Sequence, residues 1–141
     1  MQLSCFCLPA IQTPLVNKFY QANRVRGRAT KQDAIWVVKA PSIIAACRLQ
    51  KIEQETFLST VFVEQAYRGK GVAKQLLQSA IKREPCVYTF AYQAVVPLYS
   101  KLNFIVIDEK VLPAKLRQMF ASYTKQGREI IAMCFQGNVH A

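Results

Sequence analysis

The chain has 141 residues, 52% of them hydrophobic, which suits one well-buried core and is short for two, so a single domain spanning 1–141 is expected. Nineteen lysines and arginines against eight aspartates and glutamates give a formal charge of +11, which favours an anionic partner and disfavours polyamines. No apolar run approaches the roughly 20 residues of a membrane span, and Pro9 and Pro14 break the one N-terminal stretch that looks like a signal sequence; a cytoplasmic protein without a membrane partner is expected.

Cysteine and histidine usage narrows the chemistry. The five cysteines (Cys5, Cys7, Cys47, Cys86, Cys134) are odd in number and sit mostly in apolar, strand-like segments, so they read as reduced core residues. Zinc wants clustered ligands, and the chain offers only Cys5-x-Cys7 and a single histidine, His140, so no metal is expected. The same lone histidine argues against a Ser-His-Asp or Cys-His nucleophile system.

In chain order, residues 2–8 read as a strand. Thr13-Pro14 then supplies an N-cap and a first-turn proline for a helix through about Ala22. A basic run follows, Lys18, Arg24, Arg26, Arg28 and Lys31, with no acid before Asp33; it is either a surface that steers an anion or a solvated loop. Residues 34–39 and 43–50 form a hairpin through Ala40-Pro41-Ser42, and "TFLSTVFV" (56–63) is a third strand. After Gly69, Val72, Ala73, Leu76, Leu77, Ala80 and Ile81 make one helical stripe, which Pro85 ends. A strand at 86–91, a short helix at 95–102 and a strand at 104–108 come next. Pro113 opens a helix striped by Leu112, Leu116, Met119, Phe120 and Tyr123 and closed by Gly127, and the last strand is "EIIAMCFQ" (129–136).

The turn Arg68-Gly69-Lys70-Gly71 lies between a strand and a helix. The first amides of a helix have no internal partner, the dipole is positive there, and glycine admits a close anion, so a phosphate or pyrophosphate is expected. The stretch lacks the Gly-Lys-Ser/Thr ending of a P-loop and the third glycine of the dinucleotide fingerprint, which excludes both nucleotide motifs.

Arg68-Gly69-Lys70-Gly71-Val72-Ala73 resembles the Q/R-x-x-G-x-G/A motif of the GCN5-related N-acetyltransferase (GNAT) superfamily, and "PLYSKLNF" (97–104) is similar to its "LYxxxGF" segment. The resemblance covers nearly the whole chain. It implies an α+β fold in three layers, with a splayed, mostly antiparallel sheet of about seven strands flanked by helices. It also implies an acyl-coenzyme A N-acyltransferase that carries acetyl from acetyl-coenzyme A to a primary amine, without a metal. Val61, Phe62 and Val63 then correspond to the strand edge that pairs with the pantetheine arm, and Arg68, Gly69, Lys70, Gly71, Val72, Ala73 and Lys74 to the pyrophosphate loop.

By the same resemblance Tyr99 falls on the tyrosine that protonates the departing thiolate, and Glu55 on the glutamate base of some protein-acetylating members; from the residues alone, these are a core aromatic and a strand-end glutamate. Regular strand alternation would put Glu55 on one face with Phe57, Ser59, Val61 and Val63, and an N–H near Val61 would stabilise the oxyanion. Asn103 replaces the usual glycine, and an aromatic, Tyr92, stands where the family often has asparagine. Acceptor specificity is expected on the 18–33 loop, Arg48, Tyr92 and the 113–125 helix, for a small or peptide amine of acidic character; many relatives form homodimers. Two other readings stay open: a coenzyme A-binding member without catalysis, and a basic nucleic-acid-binding module, which the absence of a recognition helix or an aromatic-basic strip disfavours.

Overall fold

The computed structural model describes residues 2–137, so His140 lies outside the described residues. In chain order the elements are β1 (Ser4–Cys7), α1 (Thr13–Ala22), β2 (Ala34–Lys39), β3 (Ile43–Ile52), β4 (Glu55–Val63), α2 (Val72–Ile81), β5 (Cys86–Tyr92), α3 (Val96–Lys101), β6 (Phe104–Val106), α4 (Ala114–Lys125) and β7 (Ile130–Gln136). The strands form one sheet in the order β1-β2-β3-β4-β5-β7-β6, with antiparallel pairs β1–β2, β2–β3, β5–β7 and β6–β7. This is the mostly antiparallel, helix-flanked α+β sheet that was expected. No helix among the described residues is long and apolar enough to cross a membrane.

The chain divides into two compact units: residues through Gln50 with Leu58–Lys82, and Lys51–Phe57 with the chain from Arg83 onward. In the first, α1 places Val16 and Tyr20, one turn apart, against Leu8, Ile35, Val37 and Ala46. Helix α2 packs on β1 and β2 through the predicted stripe, with Val72, Leu76, Leu77, Ala80 and Ile81 all buried. The start of α1 differs from expectation. Gln12 is the N-cap, and the Thr13 hydroxyl donates back to the Ala10 carbonyl at 2.6 Å, because a 3₁₀ turn at Ala10–Gln12 brings that carbonyl under it.

The second unit is built on rings. Phe57, Leu112, Leu116, Phe120 and Ala132 form its core. Phe90 joins it edge-on to Phe57 at 4.7 Å and to Phe120 at 5.2 Å, arrangements that satisfy the ring quadrupoles. Strand β6 is shorter than predicted. Asp108 accepts the Lys110 amide at 2.9 Å and turns the chain into a 3₁₀ turn at Glu109–Val111.

Even alternation along β4 fails at Thr60, whose φ is 55°. A β-branched residue is a poor occupant of the left-handed region, at a cost of about 1–2 kcal/mol. Part of the compensation is Tyr20, 1% exposed, whose hydroxyl donates to the Thr60 carbonyl at 2.8 Å. Burial, more than the neighbouring Cys47 and Asp33, pushes the Tyr20 phenol well above the ordinary tyrosine range, against a smaller opposing pull from Arg48.

With its folded pKa raised, the Tyr20 contribution is fully present below the unfolded value of about 10 and is lost as pH rises toward the folded value, by up to about 1.4 kcal/mol per pH unit. Denaturant unfolding should therefore show the wild type losing stability more steeply than Tyr20→Phe between pH of about 10 and 11. The variant should also be less stable by about 1 kcal/mol at neutral pH, since the Thr60 carbonyl loses its donor. Parallel pH slopes would remove Tyr20 from this role.

Candidate functional site

The mouth of α2 is built by two left-handed glycines. Gly69 has φ 78° and Gly71 φ 77°, a backbone that a Cβ would strain even though open space lies beside both. Gly71 is the N-cap, and no side chain caps it. The first helical bond runs from Gln75 N to Gly71 O at 3.1 Å. The amides of Val72, Ala73 and Lys74 therefore have no partner within the helix, at the positive end of the helix dipole. Lys70 and Lys74 are exposed beside them, whereas Val72, at 2% exposure, anchors the turn to the core. Donors, dipole and cations together suit an anion of the phosphate class.

Arg68, exposed like the lysines, is the cation of the turn that is hydrogen-bonded back to the chain, while Lys70 lies 6.0 Å over the Tyr67 ring. Arg68 Nε donates to the Val63 carbonyl at 2.8 Å and its guanidinium lies 5.1 Å over the Phe62 ring, so its charge is tied to the end of β4. The structure thus brings the predicted strand edge, Val61–Val63, and the predicted loop, Arg68–Lys74, into one place. Beyond Val63, the Glu64 amide returns to β3 through the Ile44 carbonyl at 2.8 Å.

Tyr99 and Glu55 belong to the second unit and lie on separate elements. Tyr99 is on α3, 5% exposed, with its ring edge-on to Phe104 at 5.2 Å. Pro97 falls in the first turn of α3, where no amide bond is lost, after a 3₁₀ turn at Gln93–Val95. Asn103 has φ 71°, a left-handed backbone that asparagine adopts more readily than most residues. Tyr92 is 52% exposed at the end of β5.

Glu55 is half-buried at the start of β4, among groups that stay protonated. Burial first, then the Cys86 and Cys134 thiols and the Glu55 charge, push the Tyr88 phenol up to about 12. Burial, Cys86 and Glu55 also push the Cys134 thiol up to about 12. The Cys86 and Cys134 sulfurs are 3.5 Å apart as free thiols. Among the described residues, no group of three His, Cys, Asp or Glu is placed to hold a metal.

The basic run is an ordered comb. Asn17 pins Ala29 by two bonds, Nδ2 to the Ala29 carbonyl at 2.9 Å and the Ala29 amide to Oδ1 at 2.8 Å. Ala29 is consequently buried, while Arg24, Arg26, Arg28 and Lys31 are exposed. Arg48, expected to help read the acceptor, does not face solvent. Its Nε and Nη2 both bond Asp33 Oδ2, at 3.0 and 2.9 Å, with the two side chains 9% and 7% exposed. An arginine inside the apolar run "IIAACRLQ" was the available sign of a buried ion pair; nothing in sequence pointed to Asp33 as its partner.

Residues 31–106, more than half of the chain, match the acetyltransferase (GNAT) domain family. No curated protein sequence matches significantly. Among solved structures, the chain is similar to an N-acetylglutamate synthase from Neisseria gonorrhoeae complexed with coenzyme A and N-acetyl-glutamate, with TM-score 0.73, 11% identity, and 100% of this chain covering 36% of that one. It thus spans about a third of that protein. It is also similar to the ribosomal-protein-S18-alanine N-acetyltransferase of Escherichia coli (TM-score 0.70, 16% identity, 99% and 97% of the two chains). A third similar structure is a GNAT-family acetyltransferase from Staphylococcus aureus Mu50 (TM-score 0.66, 14% identity, 96% and 99%). At these identities the structures speak for the fold alone. The family match, on a chain whose glycine loop and sheet order agree with it, shows that this protein belongs to the GNAT acetyltransferase family.

Proposed function

We propose that the protein transfers an acetyl group from acetyl-coenzyme A to a primary amine by direct attack. The observation that carries this reading is the uncapped start of α2, with three amides that have no partner within the helix, two left-handed glycines and two lysines. A pyrophosphate has the charge and the acceptor oxygens for such a site. Acetyl-coenzyme A supplies an acetyl group activated as a thioester. Val61, Phe62 and Val63 offer a strand edge to the pantetheine amides, in the manner of an added strand, and Arg68 to Lys74 hold the pyrophosphate. The Val61 amide stabilises the oxyanion. Family acceptors are amines that must lose a proton first, since a lysine-type amine has a pKa of about 10.4; Glu55, directly or through water, accepts that proton. Tyr99 donates one to the departing thiolate.

The acceptor class follows from the comb at residues 24–31. Pinned at Ala29 and exposed at Arg24, Arg26 and Arg28, it suits an amine that also carries negative charge, such as an acidic metabolite or an acidic peptide segment. The burial of Tyr99 favours one second reading, a coenzyme A-binding member that does not turn over.

Two measurements test the catalytic reading and the acceptor class in turn. General acid catalysis contributes about 10²- to 10⁴-fold, so Tyr99→Phe should lower kcat at least about tenfold with acetyl-coenzyme A affinity nearly unchanged. Wild-type kcat in that variant would return Tyr99 to the core, and thioester turnover absent from the wild type as well would favour the non-catalytic reading. Reversing Arg26 and Arg28 to glutamate should raise the acceptor KM and flatten the salt dependence of kcat/KM. If neither moves, the comb is solvated surface and the acceptor is not selected by charge.

A further inference from the structure

A second buried device lies within the first unit, apart from the glycine loop. Thr60 is held in its left-handed backbone from three sides. Tyr20 donates to its carbonyl at 2.8 Å, Arg48 Nη1 donates to its Oγ1 at 3.2 Å, and Gly27, itself at φ 110°, lies so close that an added Cβ would sit 3.2 Å from that same Oγ1. Arg48 is fixed in turn by Asp33, whose Oδ2 also accepts the Thr30 amide at 2.8 Å. One guanidinium therefore joins the segment that carries the comb, through Asp33, to the residue that precedes Val61.

Stability alone is a poor reason for this arrangement. Desolvating an arginine and an aspartate offsets most of their attraction, and apolar residues of similar volume commonly hold a core as well or better. A fixed, fork-shaped donor is suited instead to setting one geometry out of several. The geometry at stake is the backbone at Thr60: without its partners a threonine would relax toward extended φ, and the backbone groups that follow would rotate with it.

We propose that Arg48, oriented by Asp33, is a positioning residue that holds Thr60 left-handed and thereby aims the backbone groups of Val61 to Val63. Its catalytic consequence rests on the acetyl-transfer reading; its conformational consequence does not.

The test replaces the pair as a unit, Asp33→Asn with Arg48→Met, so that no buried charge is orphaned. It then adds Thr60→Gly, since glycine reaches positive φ without a clamp. Two readouts are taken: the amide resonances of Val61 to Val63 in ligand-free protein, and kcat/KM for acetyl-coenzyme A. The paired variant should stay folded, shift those resonances and lose at least about tenfold in kcat/KM, with KM for acetyl-coenzyme A changing less than kcat. Adding Thr60→Gly should return the resonances toward their original positions and recover most of the rate. Resonances that do not move, or a rate that follows thermal stability without rescue by glycine, would overturn the proposal. Resonances that move and return in a protein without transferase activity would overturn the acetyl-transfer reading and leave the positioning role standing. Should the paired variant not fold, Thr60→Gly in the Arg48 background decides: it should make the resonances indifferent to Arg48→Lys, which shifts them when Thr60 is present, and equal shifts in both backgrounds would overturn the clamp.

Discussion

A helix that starts on a left-handed glycine, with no side chain to cap it, leaves amide donors that its own chain does not satisfy. In this protein those donors belong to Val72, Ala73 and Lys74, and the rest of the first unit supports them. Val72, Leu76 and Leu77 seat α2 against β1 and β2, so the mouth of the helix is a fixed feature. Arg68, exposed as well, turns back to Val63 and Phe62, and Lys70 and Lys74 add two more exposed cations at the opening. An unsatisfied N–H deep in a core would be a defect; at a positively charged helix end it suits an anion.

Positive φ is used in two ways. At Gly69 and Gly71 the chain relies on the one residue type that adopts it without strain, and nothing packs against those positions. At Thr60 the same backbone region is forced on a β-branched residue, and a phenol, a guanidinium and a close-packed glycine surround it. The first kind of site has open space beside it. The second is over-determined, as strained backbone must be to persist.

This contrast explains what was legible in the sequence. Glycines next to lysines before an amphipathic stripe announce their conformation, so the loop and α2 were readable. The stripes of α2 and α4 and the apolar runs of β2, β3, β5 and β7 were readable for the same local reason: burial on one face or both leaves a period in the sequence. Thr60 was not readable, because "TFLSTVFV" is good strand sequence throughout, and its departure is imposed by Tyr20, Gly27 and Arg48 from far along the chain. Arg48 was misplaced as a surface reader for a related reason, since its partner Asp33 is fifteen residues away and reaches it only through strand pairing. The length of β6 turned on Asp108, whose capping of a 3₁₀ turn competes with two more strand residues.

Calorimetric titration of acetyl-coenzyme A into the wild type and Gly71→Val tests the proposed anion site at the mouth of α2 most directly. Apart from its chain neighbours, a Cβ at position 71 meets no atom within 4 Å, so the substitution acts on the left-handed backbone and on the approach of the proposed pyrophosphate, with no clash against the core. Saturable binding to the wild type with loss of detectable binding in a folded Gly71→Val protein is the predicted result; equal affinity in the two proteins would contradict it.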